Sequence, residues 1–313
     1  MMTKIKSKFA WRLIHTGLCI LLLFAIGMLI EARSVYLSSQ YKKCCLLIVL
    51  TIPIFWMLFL FLKTAKVITI SNKSIILRTV FQRQEILWAK VKTTKLHGKE
   101  DLLYTPHEAT TLFLQDGQKH FFSDILYRNT PLLKSVLNTV KTQHLKNQPI
   151  DIENIKPYQL KQTSKKMPDY PMTEHSGNFW STVQGWVPMF FVVIKTIGLK
   201  MLLIDGNIEG ILVMLLSLMP IAFVISELNY YYLGKHHLVV RNLIWKPYIK
   251  VYHLDDIEEV AFDSIGHGSN GLRVITKDFK SNFFPAGSLS LKTWQKLEKS
   301  LKKKKIRIRP KYF

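Results

Sequence analysis

Two similar stretches organise the chain: residues 67–96 read VITISNKSIILRTVFQRQEILWAKVKTTKL, and residues 230–262 read YYYLGKHHLVVRNLIWKPYIKVYHLDDIEEVAF. Arg78 and Arg241 align at an offset of 163 (241 − 78). A second pair, Phe121 and Phe283, aligns at an offset of 162 (283 − 121). Each copy follows two apolar runs and ends in a helical pattern. The sequence therefore predicts a duplicated module.

The composition favours anionic partners. The 313 residues include 44 Lys and Arg against 21 Asp and Glu, which gives a formal net charge of +23. Such a balance attracts nucleic acid or an anionic membrane surface. The mean hydropathy is nevertheless positive, at +0.12, so the apolar residues must be concentrated in blocks. The three cysteines lie in or beside these blocks, which argues against a disulfide framework.

The apolar blocks predict four transmembrane helices, at residues 13–30, 44–62, 182–204 and 208–228. A cleaved secretory signal is the rival interpretation of the first block, but no small-residue cleavage site follows it. The basic residues before the first block and after the second place both termini in the cytoplasm. Lys195 interrupts the third block, and we interpret it as a snorkelling side chain.

The regions between these blocks alternate in the manner of β-strands. The first predicted repeat is a tail with a helical hairpin (residues 1–66) followed by a β module (67–143). A Pro-containing linker (144–178) leads to the second repeat, which is a second hairpin (179–228) and a second β module with a polybasic tail (229–313). Asp116-Gly117 predicts a hairpin turn. Thr130-Pro131 predicts a helix start with Thr130 as N-cap, and Ser288 or Ser290 is the expected cap of the last helix.

This pattern resembles the bacterial pleckstrin-homology-like membrane proteins, some of which carry the unit more than once. The resemblance rests on an arginine between apolar strand residues with a basic residue in the following turn, as in Arg78 with Arg83 and Arg241 with Lys246. It also rests on the stretch LDDIEEV at residues 254–260, which has no acidic counterpart around Trp88. The resemblance implies membrane helical hairpins and two strongly bent antiparallel sheets, each capped by a C-terminal helix. It brings no catalytic residues.

Several patterns of chemical interest are expected to be structural. Residues 266–271 fit G-x-G-x-x-G, but a strand pattern follows them instead of a helix. Five polar residues near position 100 have the composition of a metal site: His97, Glu100, Asp101, His107 and Glu108. Their spacing suits no helix face, so we expect them to lie in a solvated connection between strands. His236 and His237 are adjacent on a strand and should face opposite sides, which argues against joint coordination.

The charged C-terminal region holds the candidate membrane contacts. Each cation near an anionic surface contributes on the order of 1 kcal/mol, and tyrosines are typical of membrane interfaces. The candidates are Lys302, Lys303, Lys304, Lys305, Arg307, Arg309, Lys311, Tyr230, Tyr231 and Tyr232. A solvated helix end is the alternative for the cations. Asp255, Asp256, Glu258 and Glu259 are interpreted as a solvated acidic patch, with pairing to the basic tail as the alternative.

These observations predict a non-enzymatic, multi-pass scaffold of the bacterial inner membrane with both β modules in the cytoplasm. The expected partners are the bilayer, anionic phospholipid and an unidentified membrane protein. Nucleic acid is not expected, because no recognition motif is present, and no cofactor or metal is expected. An immunity factor against a membrane-active peptide is one alternative. A small transporter is another, for which Lys195 is the nearest candidate charge.

Overall fold

The computed structural model describes the chain in segments: residues 4–10, 52, 56, 59, 62–63, 65–102, 105–146, 148–152, 155, 158–161, 167–178, 183–204, 209–244, 248–264 and 269–309. The chain divides into two compact units, residues 1–157 (unit 1) and 158–313 (unit 2). Each unit contains two β-sheets and a C-terminal helix that packs on them.

Unit 1 has seven described strands in two antiparallel sheets. The first sheet has the order β1-β2-β3-β4 and the second has the order β5-β6-β7. The strands are β1 Ile5–Lys6, β2 Val67–Ile70, β3 Ser74–Arg78, β4 Arg83–Leu87, β5 Val91–Leu102, β6 Thr105–Leu114 and β7 Lys119–Ser123. Helix α1, Thr130–Leu145, closes the unit.

Unit 2 repeats this plan and adds a final strand. Its sheets have the orders β11-β10-β9-β8 and β14-β13-β12-β15, and β15 pairs with β12 in parallel. The strands are β8 Thr173–His175, β9 Asn229–Leu233, β10 His237–Asn242, β11 Ile249–His253, β12 Ile257–Ser264, β13 Asn270–Thr276, β14 Ser281–Pro285 and β15 Ile308–Arg309. The described helices of unit 2 are α2 Val183–Leu203, α3 Glu209–Ser226 and α4 Leu291–Lys303.

Local sequence signals account for several of these elements. Gly117 has φ +83° in the turn between β6 and β7, so the Asp116-Gly117 hairpin is confirmed, with glycine carrying the left-handed conformation. In α1 the N-cap is Asn129 rather than Thr130. In α4 the Ser290 hydroxyl accepts a hydrogen bond from the Thr293 amide, as expected of an N-cap.

Each unit takes an edge strand from residues that precede its helical segment. Strand β1 pairs with β2 through Ile5 opposite Ile70, and β8 pairs with β9 through His175 opposite Tyr231. These strands have two and three residues, which is too short for a periodic pattern. In each unit a short strand that precedes the apolar runs thus joins the first sheet, a pairing that the sequence did not predict.

The predicted linker does not stand apart from the units. Ile150, Ile152 and Ile155 pack on the core of unit 1, and the Ile152 amide donates to the Asn72 side chain at 3.3 Å. The described residues after position 157 contact unit 2. The sequence did not predict these contacts, because the few isoleucines that make them lie in a mainly polar stretch, residues 144–178.

The membrane architecture predicted from the sequence is wrong. In the part of the chain that the structure describes, no helix has both the length and the apolar character needed to cross a membrane. The third and fourth predicted spans fall on α2 and α3. Lysines at 195 and 200 interrupt α2, and α3 has 18 residues. The spans at 13–30 and 44–62 lie outside the described residues, apart from single positions near the end of the second.

This finding overturns the fold class of membrane hairpins and replaces it with a mainly β chain containing four sheets. The predicted multi-pass localisation in the inner membrane is therefore also wrong. The predicted integral membrane scaffold and its two alternatives, the immunity factor and the transporter, are not supported either, because each prediction assumed membrane-spanning helices.

Helices α2 and α3 approach closely at a pair of glycines. A Cβ on Gly210 would overlap the backbone oxygen of Gly198 and lie 2.8 Å from the Leu202 amide nitrogen. We therefore expect Gly210→Ala to force the helices apart and lower the stability of unit 2 by about 1–3 kcal/mol. Urea unfolding measures the change, with Thr196→Ala at an exposed position of α2 as the control. Stability equal to that of the control would contradict this packing.

Candidate functional site

A cavity of unit 2 has a volume of ≈ 500 Å³. It lies between the C-terminal end of α3, the first residue of β9, the last residue of β10, the residue before β11, and the end of β14. Its lining residues are Ala222, Ile225, Ser226, Asn229, Asn242, Tyr248, Phe283, Phe284 and Pro285. We call this cavity the unit 2 pocket.

Two asparagines hold the wall of the pocket. The Asn229 side-chain amide donates to the carbonyls of Ser226 (2.9 Å) and Pro285 (2.7 Å). The Asn242 amide donates to the Ile225 carbonyl at 2.8 Å. The last carbonyls of a helix have no partner within it, so these amides satisfy them and tie α3 to the sheets.

The chemistry of the pocket suits binding rather than acid–base catalysis. Tyr248 is the titratable side chain among the lining residues, and burial raises the pKa of its hydroxyl. It therefore stays protonated at neutral pH, where it can donate a hydrogen bond but is a poor general base. Phe283 and Phe284 supply much of the apolar wall. A mainly apolar pocket of this size with a few polar groups is typical of small-molecule sites.

The corresponding place in unit 1 contains aromatic side chains. Strands β2–β3 and β9–β10 share one register, because Ile68 pairs with Leu77 just as Tyr231 pairs with Val240 at an offset of 163 (231 − 68). At this offset Phe59 corresponds to Ala222, and Phe81 to Ile244. The rings of Phe59 and Phe81 lie 6.1 Å apart. Unit 2 therefore has a methyl group at Ala222, which lines the pocket, where unit 1 has an aromatic ring.

The basic tail divides between the surface and the fold. Lys302 to Lys305 are exposed, and Lys302 forms an i,i+4 ion pair with Glu298. Arg309 is buried, and its Nε lies 3.0 Å from Glu259 Oε1. Lys311 lies outside the described residues. The alternative prediction, that the basic tail pairs with the acidic stretch, therefore holds for Arg309. Arg307 lies 3.7 Å from the same Glu259 carboxylate.

The tyrosines proposed for membrane contact lie in the sheet. Tyr231 is fully buried, and its hydroxyl donates to the Phe284 carbonyl at 2.6 Å. Tyr230 is 8 % exposed and its hydroxyl donates to the Gly177 carbonyl; Tyr232 is half-buried. Their hydrogen bonds and burial assign Tyr230 and Tyr231 to the structure of unit 2.

The acidic stretch is not uniformly solvated. Asp255 and Glu258 are exposed, but Asp256 and Glu259 are buried. Asp256 accepts a hydrogen bond from the Lys161 amide at 2.9 Å. The expectation of a solvated patch is therefore wrong for the two buried carboxylates, because a chain segment distant in sequence covers each of them.

The polar group near residue 100 is also not a solvated connection. It belongs to strands β5 and β6, and two of its members meet residues of the following segments in the interior of unit 1. His97 Nδ1 lies 3.5 Å from Glu108 Oε1 and 3.0 Å from Lys134 Nζ, which is 2.5 Å from Asp124 Oδ2. Lys134 is fully buried, so no substrate can reach its amine. Sequence reasoning missed Lys134 because it sits beside the apolar stripe of α1.

No group of three or more His, Cys, Asp or Glu side chains in the described segments is arranged to hold a metal ion. Comparison of the chain with protein-family models gave no match, and comparison with curated proteins gave none either.

Proposed function

We propose that this protein is a non-catalytic binding protein whose unit 2 pocket takes a small, mostly hydrocarbon ligand. One observation carries the proposal: Ala222 lines a pocket of ≈ 500 Å³, whereas the equivalent position of unit 1 is Phe59, whose ring lies 6.1 Å from that of Phe81 at an angle of 52°. The two repeats would then differ in role. Unit 2 would bind the ligand, and the equivalent place in unit 1 would be filled by its own side chains.

The polar groups of the site suggest the nature of the ligand head. The Tyr248 hydroxyl can donate to an acceptor, and Lys250 is exposed two residues further along the chain. The chain carries a net charge of +23, which raises the local concentration of anions. A carboxylate on an aliphatic or aromatic body fits both the apolar wall and this rim.

The function would not need catalysis. The pocket offers Tyr248 as its titratable lining group, and the buried Lys134 is closed to substrate. The resemblance to pleckstrin-homology-like proteins, which stays a prediction, also favours binding over chemistry. The absence of a general base among the lining residues supports this proposal.

Ala222→Phe tests the proposal, with decanoate as the probe and isothermal titration calorimetry as the measurement. We expect the wild-type protein to bind decanoate and Ala222→Phe to bind it at least tenfold more weakly, because the added ring occupies the pocket. Ala222 lies at an exposed position of α3, so the fold should tolerate the ring. Phe59→Ala should open the matching place in unit 1 and add a second binding event.

Val193→Phe is the matched control. It adds the same ring on the exposed surface of α2, outside the pocket, and should leave binding unchanged. Equal binding by wild type and Ala222→Phe would contradict the proposal, since decanoate would then be adsorbing to other exposed apolar residues. The absence of binding by the wild type to both decanoate and decanol would also contradict it.

A further inference from the structure

Three histidines converge at one end of the first sheet of unit 2. His237 begins β10 and pairs with His253 at the end of β11, and their ring centroids lie 5.1 Å apart. His236 precedes β10, and its ring stacks on His253 at 6.2 Å. The sequence predicted that His236 and His237 are neighbours on one strand with rings on opposite sides, but His236 lies before β10 and both rings are near His253. The three imidazoles therefore form one electrostatic cluster.

The described parts of the segment between residues 158 and 172 lie against this end of unit 2. We call residues 158–161 and 167–172 the strap. The Lys161 amide donates to Asp256 at 2.9 Å, and its Nζ donates to Asp255 at 2.7 Å. The Tyr170 hydroxyl lies 2.6 Å from His237 Nδ1. Gly234 permits this contact, because a Cβ there would overlap the Tyr170 ring.

We propose that the histidine cluster is an acid-sensitive clasp that holds the strap on unit 2 near neutral pH and releases it when the imidazoles take up protons. This inference is independent of the unit 2 pocket. A neutral His237 with its proton on Nε2 accepts the Tyr170 hydroxyl at Nδ1, and His253 Nδ1 accepts the Asp255 amide at 3.3 Å. Protonation of His253 Nδ1 removes the acceptor of the Asp255 amide, and protonation of His237 Nδ1 makes that nitrogen a donor, so that the Tyr170 hydroxyl can no longer donate to it and must turn to accept.

Charge repulsion acts in the same direction. Protonation of more than one ring places like charges about 5–6 Å apart, which disfavours the charged forms. Burial, followed by the charges of His253 and His236, lowers the pKa of His237. The folded clasp thus binds protons less readily than the free segment. Its stability is complete well above the ordinary histidine pKa of about 6.5 and is lost as the pH falls below it.

Other charged groups lie near the cluster. The Asp255 carboxylate is 3.5 Å from His253 Nδ1, and Lys161 pairs with the same carboxylate. Lys304, which follows α4, donates from Nζ to the carbonyl of Lys235, the residue before His236.

Amide hydrogen exchange of the full-length protein at pH 7.5 and 5.5 tests the clasp, with rates corrected for the intrinsic effect of pH. Between pH 7.5 and pH 5.5 we expect the protection factors of the strap amides to fall, by about tenfold for each pH unit by which folding lowers the pKa of His237. The protection factors of β12 and β13 should not change. His253→Gln removes the central imidazole and its charge, and should reduce the pH dependence of strap protection, while His237 still contacts Tyr170. His144→Gln, at an exposed position of α1, should behave as wild type.

Two results would overturn the clasp. One is strap protection that does not change between the two pH values. The other is an equal loss of protection in β12 and β13, which would mean that acid unfolds the whole unit. If His253→Gln does not fold, His236→Asn serves as the second variant, because it removes the stacked ring and leaves the β10–β11 pairing intact. Unchanged pH dependence in the folded variant would exclude the cluster as the sensor.

Discussion

Replacement of Arg309 by methionine is expected to lower the free energy of unfolding of unit 2 by about 3–5 kcal/mol, because it leaves Glu259 buried without its main cation. Glu259 and Arg309 are 5 % and 8 % exposed, and two nitrogens of the guanidinium bond the same carboxylate oxygen. Arg307 is exposed and 3.7 Å from the carboxylate, so it can compensate only weakly. Urea unfolding, with hydrogen exchange of β12, measures the loss.

A double variant separates the ion pair from the packing. Arg309→Met with Glu259→Met removes both charges and should recover most of the lost stability, since apolar residues often replace a buried ion pair without cost. Lys303→Ser with Lys305→Ser is the control for the exposed tail and should change stability by no more than about 0.5 kcal/mol. If Arg309→Met is no less stable than this control, the tail does not have the structural role assigned to it.

Lys134→Met is expected to destabilise unit 1 by a similar amount, about 3–5 kcal/mol. Lys134 is fully buried, and its amine contacts Asp124 and His97, which itself lies 3.5 Å from Glu108. Methionine fills nearly the same space but removes the buried ammonium group that contacts Asp124. The loss should appear as a lower urea midpoint and as faster hydrogen exchange in β5 and β6.

Lys141→Met on the same helix is the matched control. Lys141 is only half-buried, so its replacement should have a small effect. Adding Asp124→Asn to Lys134→Met removes one uncompensated charge and should restore part of the stability. Wild-type stability of Lys134→Met would show that the buried network contributes nothing to the fold of unit 1.

The repeat was visible in the sequence because its evidence is local. The strand around Arg78 and the strand around Arg241 carry the same apolar pattern, and the turn at Gly117 has a residue type that its backbone requires. In α1 the buried apolar residues Leu133, Val136, Leu137 and Val140 recur at helical spacing. Patterns of two and of three to four residues are direct consequences of strand and helix geometry.

The apolar runs show where such local reasoning failed. Hydropathy measures how apolar a segment is, but not what the segment packs against, so α2 and α3 were predicted to cross a membrane. In the described residues they are paired helices that meet at Gly198 and Gly210. Short edge strands were missed for a related reason, since β1 and β8 acquire their strand conformation from the neighbours with which they pair.

The sequence by itself determined the similarity of the two strand regions, the turn at Asp116-Gly117, the serine region that caps the start of the last helix and the strong positive charge, because each depends on residues that are near one another in the chain or on their sum. Only the tertiary structure decided the sites. Arg309 meets Glu259 from 50 residues away, Lys134 meets His97 from 37, and Tyr170 meets His237 from 67. The pocket beside Ala222 likewise exists only once Asn242, Tyr248 and Phe284 lie near the end of α3. Contacts at such separations leave no periodic trace in the sequence, since the fold alone sets which side chains become neighbours.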